Sequence, residues 1–172
     1  MNQLDQVSTR DVVRFAKAIL TLTVGSAGAL IVMHNIVDYR LSLKYVQHVM
    51  SMDTTFPESR NRFRAIKSPR AHQASLILII LAEALMAWFC GVGGLRMLKA
   101  LKADADAFHE AKRPGLIGMV IGLLLWFFGF QVIAGSWFEM WMSKEYNALP
   151  DATRLTNYIA AVLTFVAMRN DE

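Results

Sequence analysis

Six side chains in this sequence are of types that can move a proton, bind a cofactor or hold a metal, namely His34, His48, Asp53, His72, Glu83 and Gln131. Glu83 is the most informative, because it stands inside the apolar stretch SLILIILAEALMAWFC. Carboxylates within a membrane are rare and usually face a bundle interior or a partner. Glu83 and Gln131 each lie about ten residues into an apolar stretch from the same side, roughly 15 Å deep. Their spacing predicts a similar depth for both, so that they could meet near the membrane midplane.

Three interpretations of Glu83 follow from this depth. In the first, an uncharged Glu83 hydrogen-bonds Gln131 or a backbone carbonyl and fixes the helix register. In the second, it handles protons or binds a quinone. In the third, it contacts a neighbouring subunit.

The histidines raise the question of haem or metal. His34 and His72 are predicted near one membrane surface on adjacent helices, where axial haem ligands could stand, although haem ligands usually lie deeper. A metal site from His34, His48, His72 and Asp53 has enough ligands but lacks HxxxH or HxxE spacing. The simpler interpretation is interfacial histidines that bond backbone and headgroups. No Ser-His-Asp set, phosphate loop or dinucleotide motif occurs, which favours a protein that is not an enzyme.

The elements that position these residues are predicted membrane spans. Hydrophobic residues make up 55% of the 172, and the 18 basic and 14 acidic residues fall almost entirely between long apolar stretches. This segregation is expected where part of the solvent is hydrocarbon. Four spans are predicted within a single domain, residues 1–172, at about 12–36, 73–98, 115–142 and 150–170. The last has a short apolar core and needs an extension from Pro150 to cross.

The predicted fold is therefore all-α: a four-helix transmembrane bundle with a long, structured first connection, residues 37–72. Leu43, Val46 and Met50 are at helical spacing within it, which predicts a short interfacial helix. Residues 99–114, the second connection, are predicted to continue the second span as a solvated helix. Small residues in the first three spans predict close glycine-mediated packing.

Four spans put both termini on one side of the membrane and the polar residues of the first connection on the other. Lys and Arg number nine on each side, so the positive-inside rule gives no majority. The basic residues that closely flank the first span favour cytoplasmic termini in a bacterial inner membrane. Basic residues beside apolar spans indicate a lipid bilayer, and not nucleic acid, as the partner.

Several segments resemble a bacterial family of predicted small integral membrane proteins of unknown function. They are HNIVDY (34–39), YVQHVMSMDTTFP (45–57), RAIKSPRAH (64–72), Glu83 in its span, and GSWFEMWMSKEYNA (135–148). HVMSMDTTFP is the most specific. The family often has an acidic residue where Ser136 stands here, which puts any role of that position in doubt. The resemblance implies a four-span membrane fold but no activity.

Three functions remain open from the sequence. The first is a non-catalytic accessory, assembly or interaction subunit that contacts a membrane-protein partner or a second copy of the chain. The second is a ligand-binding or redox protein that uses the six polar residues for quinone, haem or metal. The third is an oligomeric channel or transporter, for which one buried acid and no pair of broken helices give little support.

Overall fold

The computed structural model describes residues 8–169 and 171, and its regular elements there are all helical. In chain order they are α1 (Thr9–Val37), α2 (Tyr39–Ser51), a 3-10 helix (Arg60–Arg64), α3 (Pro69–Lys99), α4 (Ala105–Ala111), α5 (Arg113–Leu123), a π-helix (Leu124–Trp137), a second 3-10 helix (Met140–Met142) and α6 (Leu149–Ala167).

Three segments are long and apolar enough to cross a membrane, namely Thr9–Val37, Pro69–Lys99 and Ala105–Trp137. The prediction of a helical membrane bundle is confirmed. α6 packs against α1, α5 and the π-helix as the fourth long element of the bundle, but it falls outside this set. A fourth span therefore stays a prediction, and its predicted end at Asn170 lies outside the described residues.

Local chemistry fixes where the helices begin. The Ser8 hydroxyl accepts a hydrogen bond from the Asp11 backbone N–H, and the Ser68 hydroxyl accepts one from Ala71, just before Pro69 in the first turn of α3. Such side chains satisfy the unpaired N–H groups of a first helical turn. α1 and α2 are separated only by Asp38. The predicted short helix in the first connection is confirmed as α2.

Glycines bring α3 close to both of its neighbours. A Cβ atom on Gly25 of α1 would lie 3.0 Å from the backbone nitrogen of Gly91, and one on Gly118 of α5 would lie 2.7 Å from Sγ of Cys90. Lipid tails are as apolar as leucine, so close packing of small residues associates helices where no hydrophobic force does. The predicted glycine-mediated packing is confirmed at these contacts.

The third span differs from its predicted extent of 115–142. Its helix ends at Trp137, because Glu139 adopts a left-handed backbone conformation with φ 53°, which an α-helix cannot continue. The last 14 residues of this helix, Leu124–Trp137, form a π-helix, which is longer than the usual single-turn π-bulge. The predicted solvated continuation of α3 is also wrong. The Asp104 carboxylate caps a separate α4, whose Phe108 is fully buried.

Residues 39–68 and 138–148, here called the cap, fold against one end of the bundle. Val49, Met50 and Met52 pack with Phe138 and Met140 in an apolar cluster of their own. Met50 also accepts a backbone hydrogen bond of 2.8 Å from Ile66. The first connection is thus an ordered unit attached to the end of the third span.

Candidate functional site

Glu83 lies in α3 and is almost fully buried. Its Oε2 accepts a hydrogen bond of 2.8 Å from Nδ2 of Asn35, near the end of α1. Oδ1 of Asn35 in turn accepts one of 2.9 Å from the hydroxyl of Ser42 in α2. Since Ser42 is only half-buried, the chain of three side chains joins the buried carboxyl group to the cap end of the bundle.

The predicted pairing of Glu83 with Gln131 is wrong. Nε2 of Gln131 donates a hydrogen bond of 2.7 Å to the hydroxyl of Thr156 in α6. Two features account for the difference. Glycine packing holds α1 beside α3, so that a Cβ on Gly28 would be 3.3 Å from the Glu83 carbonyl oxygen. Gln131 stands in the π-helix, whose i→i+5 winding changes the face that each residue presents.

The three histidines of the predicted site have separate local partners. Nδ1 of His34 is 3.8 Å from Oδ2 of Asp38 at an exposed position. Nδ1 of His48 is 3.0 Å from both carboxylate oxygens of Asp53, and the ring stacks on Tyr146 at 4.2 Å.

His72 is buried at the start of α3, with Nε2 2.7 Å from the carbonyl oxygen of Ile66. In residues 8–169 and 171, no three His, Cys, Asp or Glu side chains are placed to hold a metal ion. The structure therefore keeps the six predicted residues in five separate contacts and does not assemble them into one site.

Two left-handed residues shape the cap. Met52 ends α2 with φ 51°, and its carbonyl oxygen accepts a hydrogen bond of 2.8 Å from the Thr55 hydroxyl. The Arg62 guanidinium donates to the Thr55 carbonyl at 3.0 Å. The loop around the DTTFP motif is thus held by its own side chains, as expected of Asp and Thr in turns.

Glu139 is the second left-handed residue, and its carboxylate fastens the first connection to the end of the third span. It accepts hydrogen bonds from the Ser59 hydroxyl, at 2.6 Å, and from Nδ2 of Asn61. The pKa of Glu139 is held below its usual range. The main cause is the hydrogen bond from Ser59, and the bond from Asn61 and the nearby charge of Arg64 add to it. Glu139 is therefore a structural anion of the cap.

Tyr45 lies in α2 and packs against the apolar cluster of the cap, as does Leu149 at the start of α6. Burial, reinforced by the negative charge of Asp151, raises its pKa to about 12. Its ring meets Tyr146 edge-on, with centroids 5.4 Å apart. The phenol therefore stays protonated at physiological pH and acts as a packing residue.

At the opposite end of the bundle, four charged side chains form what we call the terminal cluster: Arg14, Lys17, Lys112 and Asp171. All are buried. Nζ of Lys17 is 2.8 Å from Oδ1 of Asp171, and Nζ of Lys112 binds Oδ2 of the same carboxylate. Both ammonium groups also donate to the Met168 carbonyl oxygen just beyond α6, at 2.7 and 2.9 Å.

Arg14 completes the terminal cluster. It donates to the backbone oxygen of Asp171 from Nε at 3.0 Å and from Nη2 at 2.7 Å. Its Nη1 donates to the carbonyl oxygens of Leu101 and Ala103, in the turn after α3. Burial alone would raise the pKa of Asp171, but the bonds and charges of Lys112 and Lys17 hold it below its usual range.

Sequence reasoning missed this cluster entirely. From the sequence, Arg14 and Lys17 count only as basic residues that flank the first span, and neither is among the six candidate site residues. A signal was present, because residues 14 and 17 are three apart and share one face of a helix that enters the membrane. Their contact with position 171 joins opposite ends of the chain, which no local pattern reveals.

One comparison with known proteins places the chain in a family of membrane proteins. A family model described as predicted small integral membrane protein (DUF2165) matches residues 13–169, so the chain belongs to that family. No curated protein and no solved structure matches the chain.

Proposed function

We propose that this member of the predicted small integral membrane protein family is a non-catalytic interaction subunit of a membrane complex, and that its partner binds the cap. The observation that carries the proposal is that polar side chains of the cap are used in hydrogen bonds within the cap. Glu139, Ser59, Asn61 and Arg62 bond one another or the backbone of the cap. Groups held in this way give a rigid surface and leave few free to do chemistry.

The outer face of the cap favours a protein partner. Phe56 is exposed and meets the exposed Trp141 edge-on, with ring centroids 6.0 Å apart. Fixed aromatic side chains are enriched at the centres of protein interfaces, since they bring large contact area at low entropic cost. The partner that fits is a membrane protein with an apolar surface beside the bilayer.

A photocrosslinking amino acid at position 56 tests the proposal. The matched control is position 88, where Trp88 is 69% exposed on α3 and would face lipid. After irradiation in cells and purification in mild detergent, we expect one discrete protein adduct from position 56 and none from position 88. The adduct should be lost when the cap is loosened by Glu139→Gln. Protein adducts from neither position, or from both alike, would contradict an interaction surface on the cap.

The proposed topology has four spans, with both termini in the cytoplasm of a bacterium and the protein in its inner membrane. Two observations support a fourth crossing. The contacts of Arg14 and Lys17 bring the end of α6 to the start of α1. The 19 residues of α6 are about 28 Å long, close to the roughly 30 Å hydrocarbon layer.

Single cysteines test this topology in a Cys90→Ala background, because Cys90 is the only cysteine. Substitutions at Arg10, Lys102 and Arg169 should react with a membrane-impermeant maleimide from the cytoplasmic side only. A substitution at Glu145 in the cap should react from the other side. Labelling of positions 10 and 169 from opposite sides would show that α6 does not cross.

A second candidate function, quinone or proton handling, rests on the chain from Ser42 through Asn35 to Glu83. A buried carboxyl group joined to a membrane surface by hydrogen bonds can exchange a proton without exposing itself to lipid. Solvent extraction of purified protein would test for bound quinone. If this function holds, quinone is lost in Glu83→Gln and kept in Gln131→Leu. An extract without quinone from the wild type would remove the quinone version.

A further inference from the structure

Residues 60–70, RNRFRAIKSPR, form the most strongly basic part of the described chain, and we call them the basic segment. They contain five Arg or Lys residues and no acid. Both ends are fixed where predicted spans meet the cap. Ser59 and Asn61 bind Glu139, just after the third span, while Pro69 begins α3. The basic segment therefore lies at the end of the bundle where the second and third predicted spans meet the cap.

Three of its five cationic side chains have no hydrogen bond, ion pair or ring contact within the part of the chain that the structure describes. The side chains of Arg60, Lys67 and Arg70 are exposed and are available for contacts outside the described chain. The other two are engaged. Arg62 bonds Thr55 and Phe56 of the cap, and Arg64 lies over the ring of Trp137, at the end of the third span, 4.9 Å from the ring centroid. The three remaining cations are available to an anion from outside the chain.

Apolar side chains alternate with these charges. Phe63, the most exposed large hydrophobic residue described, has 80% of its surface exposed, and Ile66 is also exposed. Trp137, beneath Arg64, marks the end of the third span. Aromatic rings flanked by Arg and Lys are typical of segments that insert their apolar tips at the headgroup level while the cations remain at the phosphates.

A depression of about 440 Å³ lies beside the segment, lined by Ser51, Met52, Asp53, Arg62, Ala65 and Lys67. Its size is within the range of about 300–1,000 Å³ typical of small-molecule sites. Asp53 contributes a negative charge there, but it already pairs with His48. Lys67 and the Ser51 hydroxyl can donate to a phosphate oxygen at this position.

We propose that the basic segment binds anionic phospholipid headgroups, with Arg60, Lys67 and Arg70 at the phosphates and Phe63 in the interface, and so seats the cap on the bilayer. The opposing charges are few: Glu58 precedes the segment, and Asp53 faces Lys67 across the depression. A zwitterionic headgroup offers no net charge to the three cations, so selectivity for anionic lipid follows from electrostatics.

Native mass spectrometry of the full-length protein in detergent, titrated with phosphatidylglycerol or phosphatidylcholine, tests this. The variant Arg60→Gln/Lys67→Gln/Arg70→Gln should bind phosphatidylglycerol at least about tenfold more weakly, since each surface cation near anionic lipid contributes a few-fold in affinity. The control Arg96→Gln/Lys99→Gln/Lys102→Gln removes the same charge at the other end of the bundle. It should retain wild-type binding within about twofold, because Glu110 shares a surface with Arg96 and Lys99.

Equal losses in both triple variants, or phosphatidylcholine binding as tightly as phosphatidylglycerol, would overturn the proposal. Competition by inorganic phosphate at equal concentration would point to a free phosphate site instead of a lipid site. Lys67→Gln alone covers the case in which the triple variant does not fold. It breaks no described contact and should weaken phosphatidylglycerol binding about threefold. Unchanged binding in this variant would remove Lys67 and the depression from the site.

Discussion

Lys17 and Asp171, at opposite ends of the chain, form a buried ion pair with 2.8 Å between Nζ and Oδ1. Lys112 binds the second carboxylate oxygen, and Arg14 binds the backbone of the same residue. One carboxylate thus joins α1, the start of α5 and the segment after α6. Buried charges are tolerated only when paired and hydrogen-bonded, so the cluster depends on all of its members.

Asp171→Asn should lower stability more than an ordinary surface change would. The substitution removes the carboxylate charge that Lys17 and Lys112 share, and loss of one partner from a buried pair costs about 3 kcal/mol. Thermal unfolding in detergent measures the effect. Asp106→Asn is the matched control, because the Asp106 side chain is 94% exposed and its pairing with Arg169 is loose. Equal melting temperatures for the two variants would contradict a structural role for the cluster.

The pH dependence of stability should carry the signature of Asp171. Lys112 and Lys17 lower its pKa in the folded protein against the effect of burial. A carboxyl group whose pKa is lower in the folded than in the unfolded protein stabilises the folded state. This contribution is fully present above the pKa of the unfolded state, about 3.9 for Asp. That stability is lost as the pH falls through the lower folded value. Asp171→Asn should therefore flatten the acid limb of the stability profile below about pH 4. If the acid limb is equally steep in Asp171→Asn and in the wild type, the loss of stability at low pH comes from other carboxyl groups.

Much of the fold follows from charge segregation in the sequence. Apolar stretches that exclude charge predict three of the helices, and the helical spacing of Leu43, Val46 and Met50 predicts α2. The end of the third span could not be predicted, because the left-handed conformation of Glu139 depends on its bonds to Ser59 and Asn61, about 80 positions earlier. A span boundary set by tertiary contacts has no local signal.

The candidate site was predictable only in part. The depth of Glu83 follows from the rise per residue of a helix. Its burial agrees with the tendency of carboxyl groups within a membrane to face the bundle interior. Which residue bonds the Glu83 carboxyl group depends on how each helix is rotated about its own axis. That rotation is set by the glycine contacts between α1 and α3 and by the π-helix in the third span. A straight α-helix was assumed for the third span, and that assumption led to Gln131 instead of Asn35.

Glu139→Gln should loosen the cap. An amide accepts more weakly than a carboxylate, so the bonds from Ser59 and Asn61 weaken. The segment that they hold contains trypsin sites at Arg60, Arg62 and Arg64. Limited trypsin digestion in detergent should cut there several-fold faster than in the wild type. Glu145→Gln, an exposed change in the same cap, should digest at the wild-type rate. Identical cleavage rates in both variants would mean that Glu139 does not hold the segment.

Gly118→Ala should be destabilising, whereas Gly91→Ala should be tolerated. A Cβ at position 118 would lie 2.7 Å from Sγ and 2.8 Å from the backbone nitrogen of Cys90, so α3 and α5 must separate. Overpacking of this kind costs about 1–3 kcal/mol. A Cβ at position 91 meets nothing within 4 Å, and the change should stay within about 1 kcal/mol of wild type. Melting curves in detergent compare the two, and a tolerated Gly118→Ala would show that the α3–α5 contact is loose.

A double-mutant cycle should distinguish the partner that the structure gives Glu83 from the one predicted by its depth. Asn35→Leu alone leaves a buried carboxyl group without its donor and should cost about 1–3 kcal/mol. With Glu83→Leu already present, Asn35→Leu should cost much less, since no buried acceptor remains. Gln131→Leu should instead add to Glu83→Leu within about 0.5 kcal/mol, because Gln131 bonds Thr156. Coupling to Gln131 and additivity with Asn35 would reverse the assignment.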